Sequence, residues 1–167
     1  MSKYVVKVSS KATLREYTKL ALDSKLYVDS DEYLLKSLYL RILDSEGYRA
    51  YSYSRDGVER YRPLYIVGIC LVGDKAVGCA VLEGVALQVY VVEGYRRKGI
   101  ATQIVGAMGK IYDMEHKVGM YGGSEIVAAY IAKKWGVVDF CVKGSTIHAK
   151  EGTAIPRIPV DSKVICV

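Results

Sequence analysis

Arg96, Gly99 and Ala101 stand at a spacing that suits a phosphate. They lie in the stretch from Val89 to Thr102, where an alternating apolar run passes through a basic glycine turn into an amphipathic segment. A pyrophosphate is held by free backbone N–H groups at a helix N-terminus, where the macrodipole is positive, and small residues let the backbone approach closely. Arg96 and Lys98 can add charge-assisted bonds and Thr102 a hydroxyl, while Arg97 is as readily a solvated side chain. The spacing differs from the G-x-G-x-x-G dinucleotide fingerprint, which also needs an acidic residue about 20 positions further on.

The flanking residues supply the elements such a loop requires. Leu87, Val89 and Val91 alternate with Gln88, Tyr90 and Val92 as in a strand, and Ile100, Ile104, Ala107, Met108 and Ile111 recur at helical spacing, so the helix starts at the glycine. Upstream, Leu64–Val72, Lys75–Leu82 and Val85–Val92 read as three strands joined by tight turns at Gly73-Asp74 and Glu83-Gly84, an antiparallel meander. Before them come a strand over Tyr4–Val8, a helix over Ala12–Leu26 and a helix entered from Ser30-Asp31-Glu32. That second helix carries Tyr33, Leu34, Leu38 and Ile42 on its apolar side. Residues 48–62 interleave Tyr48, Tyr51, Tyr53 and Tyr61 with Arg49, Arg55, Arg60 and Arg62 around a turn at Asp56-Gly57, which suits a small hairpin. Downstream, strands are expected over Lys117–Tyr121, Val137–Lys143 and Asp161–Val167, with a helix over Ser124–Trp135 and a loop over 144–160. The whole reads as a mixed α/β, α+β-like sandwich forming a single domain over residues 1–167.

Composition narrows the class. The 167 residues are enough for one ordinary core, and 51% apolar content is near the soluble norm. Cys70, Cys79, Cys141 and Cys166 lie in apolar runs with no C-x-x-C pair, so they read as small buried hydrophobes and no metal site is expected. The longest apolar region is broken at Gly73-Asp74-Lys75 into pieces too short to cross a bilayer, and no signal-peptide core opens the chain, so a cytoplasmic protein without membrane partners is expected. A net charge of +6 favours anionic ligands but equally serves solubility.

With Arg96-x-x-Gly99-x-Ala101 in this context, the chain resembles the GCN5-related N-acetyltransferase (GNAT) superfamily. The resemblance covers residues 64–143 in motif or order. In the family's second block, Glu125, Ala128, Ala132, Gly136 and Val137 stand where Asn, Ala, Tyr, Gly and Phe are usual, so only Ala128 and Gly136 keep the family residue. The resemblance implies a central mixed sheet that splays after its fourth strand, with the cofactor's pantetheine in the gap. It implies acetyl-CoA as co-substrate, contacted by Val89, Val91, Arg96, Arg97, Lys98, Gly99, Ile100, Ala101, Thr102 and Ala128, and an oxyanion donor in the backbone N–H of Val91.

The residue types leave the proton chemistry open. Ala132 stands where many members carry the tyrosine that protonates the departing sulfur, and Tyr130 lies about 200° away around the helix. Tyr121, at a strand end, and Ser124, at a helix start, are nearer the gap. Glu83, Glu93 and Glu125 are the carboxylates to weigh as a base, Glu125 also suiting a helix first turn on dipole grounds alone. His148 borders the acceptor side from its loop, and His116 has no named partner. The candidate catalytic set is the Val91 N–H, Tyr121 and Glu125, with an ordered water relay as the alternative base and an unassisted thiolate as the alternative to a donor. The acceptor is an amine on a protein, an aminoacyl-tRNA or a small molecule, with room for an anionic portion, and a homodimer is open. A CoA-binding module that has lost catalysis, suggested by Ala132, is the first alternative. The second is an RNA-binding module built on the Tyr/Arg segment, where nucleic acid is less favoured because alternating tyrosines in a half-buried hairpin account for the same composition.

Overall fold

The computed structural model describes residues 4–28, 32–45, 49–112, 118–121, 138–142, 145–148 and 163–166. The elements in chain order are β1 (Val5–Val8), α1 (Leu14–Asp23), α2 (Glu32–Asp44), β2 (Ala50–Arg55), β3 (Val58–Pro63), β4 (Tyr65–Val72), β5 (Lys75–Glu83), β6 (Ala86–Val91), α3 (Ile100–Ile111), β7 (Val118–Tyr121), β8 (Val138–Val142), β9 (Ser145–His148) and β10 (Lys163–Cys166). A single 3-10 turn, Glu93–Tyr95, links β6 to α3. The expected helix over Ser124–Trp135 lies outside the described residues.

Among the described residues eight strands form one mixed sheet in the order β10-β1-β4-β5-β6-β7-β8-β9. Its centre, β1-β4-β5-β6, is antiparallel, as the short turns at Gly73 and Gly84 require; both glycines have positive φ. The β6–β7 and β7–β8 pairings are parallel, and β10 returns from the far end of the chain to lie parallel to β1. The segment read as a loop over 144–160 begins with a strand, because Ser145–His148 folds back antiparallel on β8.

Period-two alternation sorts the meander onto two cores. Ile66, Cys70, Ala80, Leu82 and Leu87 pack beneath α3 with Ile100, Ile104, Val105 and Met108. Val67, Ile69, Cys79, Val81 and Tyr90 pack beneath α1 and α2 with Tyr17, Leu35, Leu38, Tyr39 and Ile42. The buried face of α2 thus runs through Leu35, Leu38, Tyr39 and Ile42, and Tyr33, expected on that face, is 80% exposed. The helix is thus rotated from the expected register, with Tyr39 fully buried against the sheet and its hydroxyl meeting the Cys79 thiol at 2.9 Å. Helix α3 sits very close to the sheet over Gly68 and Gly78, where a Cβ would come within 2.6 Å of Ile104 Cγ2 and 3.1 Å of Ile100 Cγ2 respectively.

Candidate active site

Strand β6 parts from β7 early. Only Ala86 and Leu87 pair with β7, opposite Gly119 and Met120, and β7 ends one residue later at Tyr121. From Gln88 to Val91 no strand among the described residues pairs with the outer edge of β6, which leaves a gap there. The direction of the exposed edge follows from pairing on the other side: the Val92 N–H donates to the Val77 carbonyl at 2.9 Å, so Val92 faces β5, and alternation turns the N–H and C=O of Val91 away from β5 toward the gap. The side chains of Val89 and Val91 pack toward α3, and Tyr90 is buried on the opposite face.

The basic loop follows directly on the splayed end of β6. Hydrogen bonds from Tyr95 N–H to Val92 C=O and from Arg96 N–H to Glu93 C=O make one tight turn. Arg97 follows at φ +64 and Gly99 caps α3 in the left-handed region at φ +76, a conformation that is nearly strain-free only for glycine. The first intrahelical bond of α3 runs from Gln103 N–H to Gly99 C=O, which leaves the N–H groups of Gly99, Ile100, Ala101 and Thr102 without an intrahelical acceptor. No acidic residue lies in the first turn of α3, so the positive end of the dipole is not offset from within the helix.

The candidate cofactor side chains behave differently from one another. Lys98 Nζ lies 5.5 Å from the Tyr95 ring centroid and 3.4 Å from the Gly94 carbonyl, on the exposed rim. Arg97 is exposed. Arg96 folds back: its Nε–H donates to the Val91 carbonyl at 2.7 Å and its guanidinium lies 5.5 Å from the Tyr90 ring centroid. The Thr102 hydroxyl also turns inward, donating to the Gly99 carbonyl at 3.0 Å, and the residue is buried. Its proton secures the cap, leaving its oxygen as an acceptor.

Of the carboxylates weighed as a base, Glu83 is at the wrong end of the sheet. It pairs with Ala86, five residues before Val91, which at roughly 3.3 Å per residue is about 17 Å from the splayed end. It meets Arg41 at 3.4 Å instead. Glu93 is exposed beside the loop. Tyr121 closes β7 opposite Cys141, at the level where β6 and β7 part, so its backbone borders the gap. Glu125, Ala128, Tyr130 and Ala132 lie outside the described residues. His148 ends β9, paired with Asp139 two strands beyond β6.

The Tyr/Arg segment is a hairpin, β2 with β3, turned by Asp56 and Gly57, both at positive φ. Arg62 is 3% exposed, lies 4.6 Å from the Tyr51 ring centroid and 5.7 Å from that of Tyr53, and donates to the Gly84 carbonyl. It fastens the hairpin to the β5–β6 turn and is not presented to a ligand. A two-residue turn at 56–57 places Arg62 opposite Tyr51 by counting, and this was the sequence signal for its burial. Burial pushes the Cys79 thiol up to about 12 and the Cys70 thiol up to about 11, so neither is a nucleophile at neutral pH.

A sheet with an antiparallel centre, a parallel neighbour that diverges after two pairs, and a glycine-capped helix at the divergence is the mixed α/β arrangement that the resemblance to the acyl-CoA N-acyltransferase (GNAT) fold implies. No protein-family model and no curated protein sequence matches the chain. Among solved structures it is similar to an aminoglycoside N-acetyltransferase in complex with CoA, at 12% identity and a TM-score of 0.44, covering 91% of this chain and 97% of that one. It is also similar to an integron cassette protein from the mobile metagenome of V. cholerae (16% identity, TM-score 0.43, 91% and 94% covered). A third similarity is to a ribosomal-protein-alanine N-acetyltransferase from Brucella melitensis biovar Abortus 2308 (16% identity, TM-score 0.33, 64% and 70% covered). Likenesses this distant assign no residue a role. Among the described residues no helix is long and apolar enough to cross a membrane.

Proposed function

We propose that the protein is an acetyl-CoA-dependent N-acetyltransferase, one domain over its 167 residues, that passes the acetyl group directly from the thioester to an amine. The observation that carries this reading is the junction of two features: α3 opens with four unshared N–H groups behind a left-handed glycine, where β6 has parted from β7. In this reading the N–H groups of Gly99 to Thr102 take the pyrophosphate, helped by Lys98 and Arg97. Val89 and Val91 line one wall of the pantetheine channel, and Ala128 is the further cofactor position that the family resemblance adds. The outward Val91 N–H donates to the thioester carbonyl oxygen as negative charge develops there, and such a donor typically contributes about 2.7–4 kcal/mol to the transition state.

A C–N bond forms as the C–S bond breaks; the amine gives up one proton and the thiolate takes one. Tyr121 is the proposed donor to sulfur, since its strand ends at the gap. Glu125 is the proposed base, working directly or through water. The acceptor is an amine-bearing molecule, and aminoglycosides enter as test substrates because one similar structure is an aminoglycoside N-acetyltransferase.

Calorimetry tests the cofactor half of the reading: acetyl-CoA binds with a Kd of millimolar or better and pantetheine much more weakly. Equal affinity for the two, or none for acetyl-CoA, sinks it. A mass-spectrometric screen for acetylated amines, peptides and aminoacyl-tRNA tests the transfer. Firm acetyl-CoA binding with no product from any acceptor favours the CoA-binding module that Ala132 suggests.

A further inference from the structure

We propose that Arg96, the first residue of the loop motif, is a positioning residue whose Nε–H locks the splayed end of β6. The role it serves rests on the acetyltransferase reading, but the lock itself is a property of the unliganded protein. Val91 turns both of its backbone groups toward the gap, and among the described residues no strand pairs with it on that side. A β-edge in that state tends either to recruit a neighbouring strand or to fray. Arg96 Nε–H takes the carbonyl at 2.7 Å, so the carbonyl is satisfied while the N–H beside it still points outward. The side chain can reach because the Glu93–Tyr95 turn reverses the chain within three residues.

The second anchor is Tyr90. Its ring lies 5.5 Å from the Arg96 guanidinium, and Tyr90 is itself buried among the residues packed beneath α1 and α2. A lysine keeps the charge of this side chain but has no planar Nε–H to aim at a carbonyl and no flat face to lay over a ring. Charge and lock are therefore separable by one substitution.

Arg96→Lys is the test, read first without any cofactor by hydrogen exchange of the backbone amides. The Val92 N–H, which donates to Val77 beside the locked carbonyl, should exchange at least about tenfold faster, as loss of a charge-assisted bond implies, while amides at Ile69 and Val81 in the sheet centre keep their protection. Arg96→Gln should do the same, so a folding defect in one variant does not decide the matter. Unchanged protection at Val92 in both variants overturns the proposal. With acetyl-CoA and a working acceptor, Arg96→Lys should lower kcat by about tenfold with KM for acetyl-CoA within about twofold, because the oxyanion donor is displaced and the charge is kept. A raised KM with kcat intact overturns the proposal in favour of a cofactor contact. If the wild type binds no acetyl-CoA, the acetyltransferase reading fails and the exchange result still decides the lock.

Discussion

Gly68→Ala is the sharpest probe of how α3, and with it the cofactor loop, is seated on the sheet. A Cβ at residue 68 would come 2.6 Å from Ile104 Cγ2, with Met108 Sδ and Cγ at 3.1 and 3.2 Å. The first distance falls about 0.8 Å inside ordinary contact, which begins at 3.4 Å. Met108 is unbranched and can yield, but Ile104 is β-branched on a helix, where about 90% of such side chains share one rotamer, and it is fully buried. The helix itself must therefore lift. Overpacking of this kind costs about 1–3 kcal/mol, and removing a glycine from a strand returns about 0.5–1 kcal/mol, so a net loss of about 1.5 kcal/mol is expected. For a chain of this size that corresponds to a fall in Tm of about 3–6 °C. Urea denaturation followed by circular dichroism measures it. Ile104→Leu moves the branch off Cβ at nearly constant volume, so the double variant should recover at least about 1 kcal/mol relative to additivity. A Gly68→Ala protein within about 0.5 kcal/mol of wild type, or strict additivity with Ile104→Leu, would refute the idea that glycine sets the height of α3.

The remaining predictions concern the loop and the buried thiol. Arg97→Gly removes a non-glycine residue from φ +64 and should raise stability by about 0.5–1 kcal/mol, after the extra freedom of glycine in the unfolded chain is subtracted, as read in the same urea titration. Gly99→Val forces a branched residue into φ +76 and should cost at least about 1–2 kcal/mol and abolish acetyl-CoA binding in calorimetry. Gly94→Ala, where a Cβ meets nothing within 4 Å, should change neither. The Cys79 thiol is pushed up from 9.0 to about 12, first by burial, so the unfolded chain loses this proton more readily than the folded one and stability falls as pH rises from about 9 toward 12. Cys79→Ser keeps a hydroxyl partner for Tyr39 but does not titrate there; its loss of stability between pH 8 and 10.5 should be smaller than that of the wild type by about 1–2 kcal/mol, and equal losses would show that the thiol does not contribute.

The sequence by itself determined whatever depends on neighbours along the chain. Alternation in Leu64–Val92, broken by glycine turns, dictates an antiparallel meander, because a two-residue turn with positive φ leaves the following strand no other partner. A glycine at residue 99 before a helical period marks the start of α3 for the same local reason. Tertiary structure alone decided the rest. The apolar side of α2 is ambiguous in a run as rich as Tyr33–Ile42, and packing against Val67, Ile69, Cys79 and Val81 of the sheet, distant in sequence, decides it. Parallel docking of β10 on β1, and the return of Ser145–His148 onto β8, are choices among sheet edges that no local period encodes. The site divides in the same way. The spacing of Arg96, Gly99 and Ala101 marks a phosphate loop, but that Glu83 stands at the closed end, that Arg62 is walled in by Tyr51 and Tyr53, and that Arg96 turns back on Val91 depend on where β6 leaves β7. Side-chain direction in a loop follows from which backbone groups the fold leaves unpaired, and that is known only once every strand has its neighbour.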